Sequence, residues 1–414
     1  MTDPVPRPAH VPADRLVDVD VMQVPGGGDD YHRGWADLQA ASPPLVWTPR
    51  NEGHWIALSG EILAEVQADW KRFSNRVIVL PKSLGEHHRL IPTTIDPPDH
   101  RPYRKLLNEN LAPGAIRGLE QSITAAAVGL IDAFIDDGGC NFTTQYAEIF
   151  PIRIFLSLMD MPESHSEQLR HWATCMTRPG QDMTFEEAKA AFYAYVDPVV
   201  QERRDNPGSD MVSMMLQSRM TMPDGGERRL NHQEALSLVT QVLIAGVDTV
   251  VNFLGFTMLA LAEDKLLRDR LRADPDDILP AVNEFFRRFG LVTIAREVRA
   301  DMVFHGMTLK AGEMVAIPTV VHGIDPAVNA DPLTIDLDRK RGRHSAFGSG
   351  PHMCPGQELA RREVAITIRE WLHRIPDFHV AQGSVLASRE GIVASLERLK
   401  LAWDAPGNRS GDMR

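Results

Sequence analysis

Residues Phe347–Gly356 read FGSGPHMCPG, and from Gly356 a helical run follows at once, GQELARREVAITIREWLHRI. That run sets Val364, Ile368, Trp371, Leu372 and Ile375 on one apolar face. A cysteine just before a helix start meets the positive end of the helix dipole and free N–H groups, which favour the thiolate. Gly348, Gly350 and Gly356 allow tight turns and let a flat ligand approach the backbone. Taken alone, Cys354 has two other readings. It is either a small buried core cysteine or a hydrolytic nucleophile with His352 as its base. The second lacks a local Asn or Asp to orient the histidine.

The composition narrows the choice. The chain has 414 residues, 43% hydrophobic and 24% charged, which places it among globular proteins. Its net charge of −12 and its lack of Lys/Arg clusters argue against general nucleic-acid binding. Three cysteines, Cys140, Cys175 and Cys354, are too few and too scattered for a disulfide framework or a CxxC zinc site. They point to a reducing cytoplasm. The N-terminal MTDPVPRPAHVPADRLVDVD has no apolar signal core. Residues 236–262 are long and apolar enough to span a bilayer, but Gln241, Asp248 and Asn252 interrupt them, so an interior helix is expected.

Helical patterns dominate, and no repeat or Gly/Ser linker divides the chain. LVWTPRNEGHWIALSG reads as a hairpin about Asn-Glu-Gly. REVRADMVFHGMTLKAGEMVAIP reads as a β-rich patch with turns at Gly306 and Gly312, and GIVASLERLKLAW as a closing strand region. A helix is expected over 231–262. The expected organisation is an arm over 1–29, one large domain over 30–405 and a polar tail over 406–414.

Three further stretches break their local pattern. In NEFFRRF, Glu284 and Arg287 lie three apart on one helix face and can pair. DPPDHRPYR sets His100 and Arg104 on one face. AGVDT puts Asp248 and Thr249 inside an apolar helix; the threonine can bond back to an i−4 carbonyl.

Together, FxxGxHxCxG with Leu359-Ala360-Arg361, the ExxR pair, the His100/Arg104 pair and AGVDT resemble the cytochromes P-450. The resemblance runs from about residue 30 to 405. It is nearest to the bacterial camphor hydroxylase group, through GEHHRLIPTTIDPPDHRPYR, AGVDTVVNFL and FGSGPHMCPGQELARRE. It implies a mainly α fold with small β-sheets, with haem b between the long helix and the cysteine-loop helix. Cys354 would be the axial thiolate, with Phe347 near the haem face and the Gly356 region giving N–H groups to the sulfur. His100, Arg104, Arg296 and His352 would meet the propionates. Glu284 and Arg287 would be structural, with Arg339 as a third partner. A widened turn would carry Thr249, ordering water, and Asp248, relaying protons.

The same resemblance implies a monooxygenase using O2. Electrons would come singly from a [2Fe–2S] ferredoxin reduced by an NADH-dependent flavoprotein. Arg104, Lys340, Arg341, Arg343 and Arg361 would suit an acidic ferredoxin. The chain is expected to be a cytoplasmic monomer. It departs from the group where substrate binds. His88 stands where the group has a tyrosine, Val79 and Leu90 where it has bulkier contacts, and Ile294 where it has an aspartate. The implied pocket comprises Val79, His88, Leu90, Gln241, Ile244, Ala245, Val292 and Ile392, and suits a small apolar terpenoid or norisoprenoid ketone, ionone-like or camphor-like. A peroxide-driven haem enzyme is disfavoured by the Asp248-Thr249 pair. A non-catalytic haem sensor or ligand-binding protein would normally carry a signalling module.

Overall fold

The computed structural model describes residues 4–28, 30–178, 181–384 and 386–405. The hairpin forms as read: Leu45–Thr48 pairs antiparallel with His54–Ala57, and Asn51, Glu52 and Gly53 all take positive φ at the turn. It is the edge of a five-stranded sheet continued by Met314–Pro318, Thr293–Val298 and Phe73–Ser74. The β-rich patch supplies two of those strands. It also forms a small hairpin, Met302–Phe304 with Met307–Leu309, which turns at His305 and Gly306.

Helices make the rest. The long helix runs from His232 to Glu263. It starts in a capping box, with Asn231 accepting from the Glu234 N–H and Glu234 from the Asn231 N–H. Among the described residues it is the one single helix long and apolar enough to cross a membrane, and most of that apolar stretch is buried inside the protein. It packs against Phe150–Leu158, Ser166–Thr177 and Phe185–Asp205. Its polar interruptions, Asp248 and Asn252, are buried and hydrogen-bonded to one another rather than turned outward.

Two expectations change. Residues 4–28 are not a separate arm: Val11, Val19, Val21 and Val24 are buried in the core, and the Val17 N–H donates to the Trp47 carbonyl at the sheet edge. Apolar side chains at irregular spacing bury here because the segment follows the sheet edge instead of forming a helix. The implied widened turn is not a break in the long helix, which is α-helical throughout. What departs locally is its side-chain bonding, described below. The polar tail over 406–414 lies outside the described residues.

Candidate functional site

The cysteine loop is built by steric necessity at one glycine. Gly350 has φ +69°, and a Cβ there would stand 2.9 Å from the Ala68 Cα. Ser349 Oγ donates to the Ala64 carbonyl, which ties the loop to the helix Gly60–Ala68. The Cys354 N–H donates to the Phe347 carbonyl at 2.8 Å, closing the loop on itself. Burial pushes the Cys354 thiol up, and the Gly356 N–H and the charges of Arg104 and Arg361 pull it down; the net direction is up. A bound metal cation is what deprotonates a sulfur so placed.

Three aromatic rings fix the loop relative to the long helix. Phe253, one turn beyond Thr249, stacks on Phe286 at 3.9 Å, and Phe286 meets Phe347 at 4.5 Å. Phe286 lies on the helix Ile278–Arg288, which also carries Glu284 and Arg287. Arg287 is wholly buried. It forks onto both Glu284 oxygens at 2.8 and 2.7 Å and donates to the carbonyls of Gly323, Pro332 and Thr334. Glu284 also accepts from the Asp336 N–H and from Arg339 at 3.1 Å. Burial alone would raise the Glu284 carboxyl, but these donors take it below its ordinary value. Arg361, expected at a partner surface, lies over the Phe347 ring at 4.6 Å and donates to Asn283. Its guanidinium supports the loop.

The His100 and His352 rings meet at a tilt, with centroids 4.2 Å apart and planes at 49°, although 252 positions separate them in sequence. Arg296 is buried in the strand Thr293–Val298. Arg104 stands one turn beyond His100 on the helix His100–Asn110. Burial, then neighbouring charges including that of Arg104, lower His100 to about 4 and His352 to about 2. Burial lowers Arg296 to about 10 and also lowers Arg104. Both ring nitrogens of His100, Nε2 of His352 and Nε of Arg296 have no partner among the described residues. Four cationic or donor groups held together with orphaned donors are a site built for anions. Beside a cysteine loop, that chemistry fits a haem with two carboxylates.

On the long helix, Thr249 Oγ1 donates to the Ala245 carbonyl at 3.2 Å and Asn252 Nδ2 to the Asp248 carbonyl at 2.6 Å. Asp248 is held on every side. Both terminal nitrogens of Arg178 donate to Oδ1 at 3.1 Å and Asn252 Nδ2 does so at 3.0 Å, while Thr177 donates to Oδ2. In the sequence Asn252 stands out only as a polar interruption of the helix, and Arg178 and Thr177 do not stand out at all.

The expected pocket residues come from segments the backbone joins. The Ala295 N–H donates to the Ile78 carbonyl, beside Val79; the Ile91 N–H donates to Ser237, beside Leu90; and the Thr293 N–H donates to the Ile392 carbonyl. Val79, Leu90 and Ile244 are buried, Gln241, Val292 and Ile392 partly so, and Ala245 is exposed. The His88 ring lies 5.0 Å from Phe185, and its buried Nδ1 has no partner among the described residues. Burial, then the Lys189 charge, lowers it to about 4, so it is a neutral imidazole. Gln241 Oε1 is likewise unpartnered.

A family model described as Cytochrome P-450 matches residues 176–384. A probable cytochrome P-450 127A1 of Sinorhizobium fredii is 31% identical over 96% of this chain and 97% of its own. The chain belongs to the cytochrome P-450 family. Among solved structures of the family, CYP101J2 is 45% identical, with TM-score 0.88 over 98% of this chain and 100% of that one. CYP101C1 is 35% identical, with TM-score 0.88 over 96% and 100%. The vitamin D(3) 25-hydroxylase of Pseudonocardia autotrophica is 29% identical over 89% of this chain and 92% of its own. The fold is thus the cytochrome P-450 fold and the protein a haem-thiolate monooxygenase. Its cofactor is haem b, with the Cys354 thiolate as axial ligand.

Proposed function

We propose that this monooxygenase hydroxylates a small apolar terpenoid or norisoprenoid ketone, ionone-like or camphor-like. The carrying observation is His88: a buried neutral imidazole with an orphaned nitrogen, on a loop of otherwise apolar candidates. A buried polar group without a partner costs free energy that a substrate carbonyl would offset. Gln241, with its unpartnered oxygen, offers a second polar contact, and Val79, Leu90, Ile244, Ala245, Val292 and Ile392 supply the apolar walls. Two relatives carry names of apolar-substrate enzymes, the vitamin D(3) 25-hydroxylase and a steroid C26-monooxygenase of Mycobacterium tuberculosis.

Bound haem supplies the splitting of O2, one atom to the substrate and one to water, with two electrons and two protons consumed. The residues of this chain would do the rest. Arg104 and Arg296 would neutralise the propionates, neutral His100 and His352 would donate hydrogen bonds to them, and Phe347 and Gly356 would shape the approach to the sulfur. Thr249 holds a water against the Ala245 turn, and Asp248 passes it protons once its carboxylate leaves Arg178. The acid–alcohol pair favours O2 chemistry over peroxide-driven chemistry or mere sensing. Electrons come from a [2Fe–2S] ferredoxin reduced by an NADH-dependent flavoprotein. Lys340, Arg341 and Arg343 are exposed, and Arg101 and Lys105 line a cleft of about 620 Å³ that reaches Pro351 on the cysteine loop. Basic side chains there suit an acidic carrier. The haem domain takes in the N-terminal segment that packs along the sheet edge, and the protein works as a cytoplasmic monomer.

A terpenoid panel read by the substrate-induced Soret shift tests the substrate. Ionone-like ketones should shift the band, and His88→Phe should weaken their binding about tenfold, one hydrogen bond's worth (~1.4 kcal/mol), while a matched hydrocarbon changes little. No shift by any ionone-like or camphor-like ketone, or equal weakening of ketone and hydrocarbon, refutes the assignment.

A further inference from the structure

We propose that His171, Cys175 and Asp182 bind one Zn2+ ion between the helices Ser166–Thr177 and Phe185–Asp205. His171 and Cys175 are four apart and share one face of the first helix. Asp182 comes from the segment leading into the second. Cys175 Sγ lies 3.9 Å from His171 Nε2 and 3.6 Å from Asp182 Oδ1, and the nitrogen and oxygen are 3.3 Å apart.

These separations can be set against two alternatives. Zinc bonds of about 2.3 Å to sulfur and about 2.0–2.1 Å to nitrogen and oxygen, at tetrahedral angles, put sulfur about 3.5 Å from either other donor. The same geometry puts nitrogen and oxygen about 3.3 Å apart. The three donors already stand within about 0.4 Å of that triangle. Hydrogen bonding alone would draw them differently. A charged imidazole–carboxylate pair closes to about 2.7–2.9 Å, and a thiol is a poor partner at 3.9 Å. The donor set points the same way. Thiolate with imidazole selects zinc-like ions, whereas Mg2+ and Ca2+ take oxygen ligands.

Access and geometry are also suitable. Cys175 is buried and forms the floor, while His171 and Asp182 are exposed at 46% and 71% of their side chains. An ion enters from solvent without any opening of the fold, and three protein ligands leave a fourth position for water. The bound ion joins the end of one helix to the approach of the next. It lies just before Thr177 and Arg178, the residues that hold Asp248.

The test is calorimetric titration of ZnCl2 into the haem-loaded, chelator-treated protein, in which iron occupies Cys354. One ion per chain should bind and should raise the melting temperature. Cys175→Ser and Asp182→Asn should each weaken binding by at least about tenfold and remove the thermal shift. Asp182 is exposed, so its variant should keep the wild-type reduced carbon monoxide spectrum and remain decisive should Cys175→Ser fold poorly. Absence of stoichiometric binding, or equal binding by the wild type and Asp182→Asn, overturns the site.

Discussion

Replacing Arg287 by Ala should cost about 3–5 kcal/mol of stability and leave a chain that retains little haem. Truncating one partner of a buried ion pair strands the other charge, and losses of that order follow. Here the loss also removes a donor from three carbonyls: Gly323 keeps Asn329 and Thr334 keeps Arg339, but Pro332 is left without its side-chain donor. Glu284 would keep only the Asp336 N–H and Arg339. The affected segment between Gly323 and Phe347 is largely without helix or strand, so polar bonds of this kind hold its course. Asn329 does the same work alongside, bonding the carbonyls of His322, Gly323 and Arg343. The segment delivers the chain to the cysteine loop, so its loosening should appear as haem loss. Lys at 287 should not rescue it, because a single ammonium cannot fork across Glu284 and reach three carbonyls. Denaturant midpoints and haem content per chain read the outcome. A variant that unfolds at the wild-type midpoint with full haem would show that the network is dispensable.

Asp248→Asn should lower kcat by about 10²-fold or more while leaving substrate binding near wild type, the scale of losing a positioned proton carrier. The amide keeps the shape and can still accept from Arg178, so the fold should survive. What it cannot do is take up and pass on a proton. Because the carboxylate is engaged by Arg178, Thr177 and Asn252, its release precedes any transfer, and a larger solvent isotope effect on kcat should accompany the lower rate. Thr249→Ala should fail differently. It removes the hydroxyl that now bonds to the Ala245 carbonyl, and NADH oxidation should continue with hydrogen peroxide replacing product. Unchanged rates in the first variant, or unchanged coupling in the second, would remove these residues from proton delivery.

What could be read from the sequence followed the range of each signal. Glu284 and Arg287 are three apart, so local periodicity exposes the pair; the glycine-rich cysteine loop is likewise contiguous. Asp248 is visible as an acid in an apolar helix, but its partner Arg178 lies 70 positions away and has no local pattern. The His100–His352 ring pair and Arg296 are brought together only by the tertiary fold. For them the family resemblance supplied what periodicity could not. Arg361 was expected to suit an acidic carrier; the fold also sets its half-buried guanidinium over the Phe347 ring, a contact 14 positions away with no local pattern. The start read as an arm because it is proline-rich and polar with no apolar core of its own, yet its valines bury along the sheet edge. Burial raises the Cys354 thiol, and a bound metal cation is what makes it the thiolate that its place before the helix suggested.

The reduced carbon monoxide spectrum of the haem-loaded protein, recorded beside that of Cys354→His, bears most directly on the account. The wild type should give the red-shifted Soret band of thiolate ligation, from which the family takes its name, and the variant the band of an imidazole-ligated haem. A wild-type spectrum already of the imidazole kind, or a band that the substitution leaves in place, would contradict Cys354 as the ligand.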